Sequence, residues 1–224
     1  MTAAHAVDFG RFATHEDQEI VVLRGDRGLV SSRMTVAALL MALSVSACAS
    51  SKKLDTFDLT SASPAVTSPR KQGRQILIAA PSALKALDGE NVVVRSGPNS
   101  ISYLKGAQWA DRLPNIVQSR LVQAFESTHR LGGVGRPGDG LAIDYQVISE
   151  IRTFDIDASA GETAVVEIAV KVLNDKNGTV RSSRVFRSTS PVGGGAGNAS
   201  YIAALDRAFD NTTSDIVTWT LSVI

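Results

Sequence analysis

The chain has 224 residues, 23 Lys and Arg against 22 Asp and Glu, and a hydrophobic fraction of 44%. That length holds one domain, with or without an irregular segment, and the apolar content excludes a wholly disordered chain. Near-neutral charge and 5% aromatics argue against nucleic-acid binding, while one cysteine excludes an intrachain disulfide framework and a zinc site built on several thiolates.

The first feature along the chain is an apolar run over residues 36–47. A bilayer-spanning helix needs about 20 apolar residues, whereas a signal-peptide core takes about 7–15. Arg24, Arg27 and Arg33 stand ahead of it, as a charged leader requires. The run ends Val45-Ser46-Ala47-Cys48, the aliphatic-small-small-cysteine pattern of a bacterial lipobox. Small residues give a signal peptidase access to the backbone, and the Cys48 thiol accepts a diacylglyceryl group. The competing view, a buried thiol in a core helix, accounts for neither the arginines before the run nor the polar residues after Cys48. Residues 1–47 are therefore expected to be a leader and signal peptide. Translation is expected to begin nearer residues 24–34, because the residues ahead include Glu16, Asp17 and Glu19 and lack an amphipathic pattern.

Residues 48–75 are expected to form a lipidated tether and an irregular segment. Phe57-Asp58-Leu59 is strand-like, but Pro64, Pro69 and Gly73 break the stretch after it. Residues 76–224 are expected to form a single α+β domain. Ile76, Leu77 and Ile78 begin a short apolar strand that Pro81 ends, and Val92-Val93-Val94 and Ile101-Ser102-Tyr103 flank a Gly97-Pro98 turn as a small hairpin. Leu113, Val117, Leu121, Ala124 and Phe125 recur at helical spacing. Pro114 fits the first turn of that helix, His129 its last turn, and Gly132-Gly133 its stop.

Residues 141–157 are expected to form the clearest strand, because from Leu141 to Ile151 apolar and polar residues alternate, which predicts one buried and one solvated face. Val166, Ile168, Val170 and Val172 predict a second, Asn177-Gly178 a tight hairpin turn, and residues 180–192 the return strand. After the glycine-rich 193–198, a long helix is expected from about Ser200 as its N-cap, with Ile202, Leu205, Phe209, Thr212, Ile216 and Trp219 inward. The predicted fold is an α+β two-layer sandwich, a largely antiparallel sheet covered by two long helices.

Candidate chemistry is sparse. The glycine-rich loop lacks the Gly-Lys-Ser/Thr of a phosphate cradle, since Asn198 and Ala199 follow Gly197. Asp155 and Asp157 share a strand face but lie near Gly161, which favours a solvated loop. The mature chain holds only His129, no G-x-S-x-G is present, and neither a catalytic residue nor a metal site nor a cofactor is expected. Arg181, Arg184 and Arg187 make the return strand basic, either as protection of a sheet edge or as a candidate surface for an anionic partner.

The stretches "LDTFDLTSASP", "ILIAAPSALKALDGENVVVRSGPNSISYLKGAQWADRLPNIVQSRLVQAFES" and "LAIDYQVISEIRTFDI", the last followed by "AVVEIAVKVLNDKNGTV", resemble the ABC-type transport auxiliary lipoproteins. These accompany mammalian-cell-entry (MCE) type lipid transporters in Gram-negative envelopes. Tyr103, Trp109-Ala110 and Leu113-Pro114 carry most of the likeness. The resemblance implies a non-catalytic, lipid-anchored accessory protein on the outer membrane, facing the periplasm. Its implied partners are an MCE-domain protein and an inner-membrane permease–ATPase pair, and its implied task is moving phospholipid or a related lipid between membranes. Ala49, where Asp would favour inner-membrane retention, points to the outer membrane. The alternative is a structural or assembly-factor outer-membrane lipoprotein without a transporter partner.

Overall fold

The structure, a computed structural model, describes residues 53–66, 69–159, 161–195 and 197–224. The apolar run and the lipobox residues Val45, Ser46, Ala47 and Cys48 lie outside the described residues. In chain order the elements are β1 (Asp55–Phe57), β2 (Lys71–Ile78), β3 (Ser82–Ala83), β4 (Asn91–Gly97), β5 (Ser100–Trp109), α1 (Leu113–Ser127), β6 (Leu131–Gly135), β7 (Tyr145–Asp157), β8 (Thr163–Asn174), β9 (Thr179–Pro191) and α2 (Asn198–Val223).

The sheet is organised around β7. Along one edge β8 runs antiparallel for the strand's whole length, from Tyr145↔Asn174 to Asp157↔Thr163, and β9 continues the meander. Four residues, 175–178, join β8 to β9 in place of the expected two-residue turn; Gly178, at φ 69°, takes the left-handed position, and its N–H donates to the Asn174 carbonyl at 2.9 Å. Along the other edge three short strands follow one another, all parallel to β7: β2 at Tyr145–Val147, β3 at Glu150–Ile151 and β4 at Asp155–Asp157. From there the sheet divides. One branch runs from β4 through an antiparallel β5 to a parallel β1, and the other from β2 to a parallel β6.

The expectation of a largely antiparallel sheet is thus corrected. The α+β class and the two helices hold, but the nine-stranded sheet is mixed. The reason is connectivity. Parallel neighbours need a long crossover, and the stretch from β3 to β6, with α1 in it, lies between β2 and β7.

Alternation places Tyr145, Val147 and Ile151 on the inner face of β7, and Val166, Ile168, Val170 and Val172 on that of β8, all buried. A bulge between Ile151 and Thr153 resets the count, so Phe154 and Ile156 continue the inner row. Both helices cover this face and touch each other, α1 over β2 and β6, α2 over β8 and β9. The predicted stripe of α1 is buried, as are Ile202, Leu205, Phe209, Thr212 and Ile216 of α2. Between the layers Trp109, Phe154 and Phe209 form an aromatic chain with centroids 5.8 and 5.7 Å apart. Trp219 meets Phe186 edge-on at 5.4 Å.

Several boundaries differ from expectation. Gly132-Gly133 do not stop α1; they lie within β6, and the helix closes instead through His129 at φ 51°. Residues 71–75, expected to be irregular, belong to β2, and β7 begins at Tyr145 rather than Leu141. Helix α2 starts at Asn198, with Gly197 at φ 90° ahead of it, and the Ser200 hydroxyl donates back to the Gly197 carbonyl rather than capping the end. The segment after β1 straps the helical layer. Its Leu59 and Ala62 are buried, Arg120 of α1 pairs with Asp58 at 2.5 Å, and the Thr60 N–H and hydroxyl both donate to Asp206 of α2 at 2.7 Å.

Candidate functional surface

The residues that carry the family likeness fall into two groups. Trp109, Leu113 and Pro114 are buried where the end of β5 leads into α1. Trp109 pairs with Phe57 of β1, and its N–H donates to the Glu90 carbonyl at 2.7 Å. The Ala110 N–H donates to the Phe57 carbonyl at 2.7 Å, and the Leu113 N–H to the Gly89 carbonyl at 3.0 Å. Pro114 sits in the first turn of α1, where its missing N–H is harmless. This group fixes β5, β1 and α1 to one another. Tyr103 differs, with 47% of its surface exposed.

Tyr103 belongs to the sheet face that no helix covers. It stands across from Val93, and Ile101 across from Arg95. With them on this face are the exposed Ile148 of β7 and Val185 of β9, and Leu84, between β3 and β4, is exposed too. Exposed apolar residues are ordinary on any protein surface, and these stand on β5, β7 and β9 of the same face.

Charges cross the same face in pairs. Arg187 of β9 bridges to Glu167 of β8 at 3.0 Å, and Arg152 to Glu150 at 3.1 Å. The third pair is different. Asp155 is only 1% exposed, and Arg95 grips its Oδ2 through Nη2 at 2.6 Å and Nε at 3.2 Å. Burial pushes the Asp155 carboxyl above its ordinary pKa, against the pull of Arg95. Asp157 next to it is held low by hydrogen bonds from the Ser159 hydroxyl and N–H. The expected solvated loop is therefore corrected: Asp155 is a buried strand residue, and the pKa values of the two carboxyls are shifted in opposite directions.

The three arginines of β9 do not form one patch. Arg184 lies opposite Val170 on the helix-covered side, 5.1 Å over the Phe186 ring. Arg187 faces the uncovered side, and Arg181 Nε donates to the Val223 carbonyl at 2.5 Å. Period-two alternation separates residues three apart.

The sequence model of the ABC-type transport auxiliary lipoprotein component family matches residues 57–217. The chain belongs to this family. Among solved structures, protein XCC0632 from Xanthomonas campestris is similar at 27% identity and a TM-score of 0.69, covering 75% of this chain and 96% of that one. A second crystal structure, of an uncharacterized protein, shares the fold at 15% identity and a TM-score of 0.60, over 75% of this chain and 99% of its own. Uncharacterized protein bll6063 of Bradyrhizobium diazoefficiens is 28% identical over 173 residues, 75% of this chain. The chain spans about half the length of that relative, 45% of it.

In this auxiliary lipoprotein family member the alternation from Leu141 to Ile151 anticipated a solvated face but not the burial of Asp155 on it. The signal was present: Ile151, Phe154 and Ile156 break the period of two, and that break marks the bulge between Ile151 and Thr153, just ahead of Asp155.

Proposed function

We propose that the protein is a non-catalytic accessory component of an MCE-type ABC transporter. It is anchored by acyl chains on Cys48 and helps move phospholipid or a related lipid between the inner and outer membranes. The observation that carries this reading is the family match over residues 57–217 downstream of Val45-Ser46-Ala47-Cys48. A lipid-anchored auxiliary subunit needs an attachment point followed by a folded domain with a free face for a partner; the lipobox pattern ending at Cys48 and the sheet face that no helix covers support that reading. Ala49 supports outer-membrane placement, with the domain facing the periplasm. The partners in this reading are an MCE-domain protein and an inner-membrane permease–ATPase pair. Of the basic residues of β9, Arg187 stands on the uncovered face for a charged contact, while Arg181 and Arg184 are engaged with Val223 and Phe186.

Each buried acyl CH₂ contributes about 0.8 kcal/mol, so several chains on one terminus hold a protein firmly to a bilayer. Cys48→Ala is expected to move the protein from the membrane to the soluble fraction. A variant that stays in the membrane fraction rules out the anchor. In-cell crosslinking with purification of the full chain is expected to recover an MCE-domain protein. Consistent recovery of envelope proteins with no transporter component would favour the structural or assembly role instead.

A further inference from the structure

On the uncovered face, a buried polar atom finds no partner among the described residues. Asp155 Oδ1 is buried and accepts no hydrogen bond, while Oδ2 takes both contacts from Arg95. A buried acceptor left unpaired is destabilising, and its need is met only by a donor. Asp155 lines a depression of about 180 Å³ whose walls include Leu84, Leu87, Val93 and Ile101. For scale, an apolar cavity of about 150 Å³ accommodates benzene.

The charges around it select the donor. Arg95 is bonded to Asp155, Arg152 lines the same depression, and the charge of Arg187 acts on the same carboxylate. Each of these guanidiniums is itself paired with a carboxylate, Asp155, Glu150 or Glu167, so the face offers no net charge to hold a ligand ion. A ligand carboxylate or phosphate would bring a second acceptor to an oxygen that can only accept when ionised. What remains is a neutral donor on an apolar body the size of one or two fused rings. Arg152 is half-exposed at the rim, where a guanidinium can lie over an aromatic face.

We propose that the depression at Asp155 binds a phenol or an indole, which donates its O–H or N–H to Asp155 Oδ1 and lays its ring against Leu84, Leu87, Val93 and Ile101. Side-chain movement at the rim admits it, since Leu84 is 75% exposed. The same chemistry occurs in free aromatic molecules and in the tyrosine or tryptophan side chain of an approaching protein. The inference does not depend on the transport reading, because it rests on the geometry of this face alone.

The test is an amide-resolved NMR titration of the purified full chain in detergent, with p-cresol and, separately, 4-methylanisole, which keeps the ring but lacks the donor. Expected are saturable p-cresol shifts at Leu84, Leu87, Val93 and Asp155, with 4-methylanisole about tenfold weaker, as loss of one buried hydrogen bond implies. Asp155→Leu removes the acceptor and should abolish the difference between the two probes. Leu84→Ala trims an exposed wall without touching the core and should weaken both. The peptides Gly-Tyr-Gly and Gly-Phe-Gly separate the sources. Preference for the tyrosine peptide supports a protein side chain as occupant, while p-cresol binding with the peptide excluded supports a free molecule. Equal affinity of p-cresol and 4-methylanisole, shifts located elsewhere, or no saturable shift overturns the proposal.

Discussion

Two aspartates at opposite ends of β7 respond to acid in opposite senses. Asp144, just ahead of the strand, is held below its ordinary pKa, first by the Gln75 N–H at 3.0 Å and then by Lys176 at 3.1 Å. Its contribution to stability is present above the unfolded value of about 3.9 and is lost as pH falls through its folded value. Asp155 is raised, so its contribution is present below about 3.9 and is lost as pH rises through its folded value. Urea unfolding should therefore show Asp155→Asn gaining on the wild type between about pH 4 and pH 7, where only the wild type has a charge to bury. Asp144→Asn should lag the wild type at pH 7 and close the gap below about pH 4. Parallel profiles for the two variants would refute the assignment.

The family-like residues separate at the same scale. Trp109→Ala empties a fully enclosed site against Phe154, and such aromatic deletions cost about 3–5 kcal/mol. Tyr103→Ala removes a half-exposed ring from the uncovered face and should stay within about 0.5 kcal/mol. Denaturant midpoints at constant m-value would check both. A large loss at Tyr103 would mean that the ring is structural and not a surface feature. Both residues stand out in the sequence as aromatics, but their difference does not, because it depends on which sheet face the β4–β5 register gives each one.

At the scale of elements, sequence patterning succeeded where burial is one-sided and local. The β7–β8–β9 meander and the stripe of α1 show their period directly, since each presents one face to the core. It failed at β6. Gly132-Gly133 look like a helix stop, yet Gly133 pairs with Gln75 in the sheet, and its missing side chain leaves room for the Gln75 side chain, 3.3 Å from where a Cβ would stand. The helix ends earlier, with the Thr128 N–H on the Phe125 carbonyl and the His129 N–H on the Glu126 carbonyl. His129 thus occupies the left-handed position that favours glycine, at φ 51°. For residues other than Gly, Asn and Asp that conformation costs about 1–2 kcal/mol, part of which the greater unfolded-state freedom of glycine offsets. His129→Gly should accordingly stabilise the protein by about 0.5–1 kcal/mol. A thermal unfolding midpoint that falls would show that the imidazole makes a contribution larger than the backbone strain.

At the scale of the molecule, what the sequence hid is partnership. β2, β3 and β4 read as separate local features, because nothing in a strand's own pattern says that it lies parallel to a segment about 60–70 residues later, as Val93↔Asp155 and Ile76↔Tyr145 do. The consequence is a sheet in which β7 and β8 are flanked on both edges and β7 joins the meander to both branches, while β1 and β6 each hang on a single neighbour at the tips of the two branches. Opening either branch leaves the β7–β8–β9 meander and its α2 cover in place, but opening β7 severs both branches from the meander at once. Local opening free energies span from near zero at frayed edges to the global value in core strands. Hydrogen exchange should therefore find the hydrogen-bonded amides of β7 exchanging only with global unfolding. Those of β1 and β6 should exchange earlier, independently of each other. Denaturant should bring all of them together only at the global transition. If β7 amides exchanged as early as those of β1, or if the two branches opened as one unit, the meander would not be the stable foundation on which the uncovered face is built.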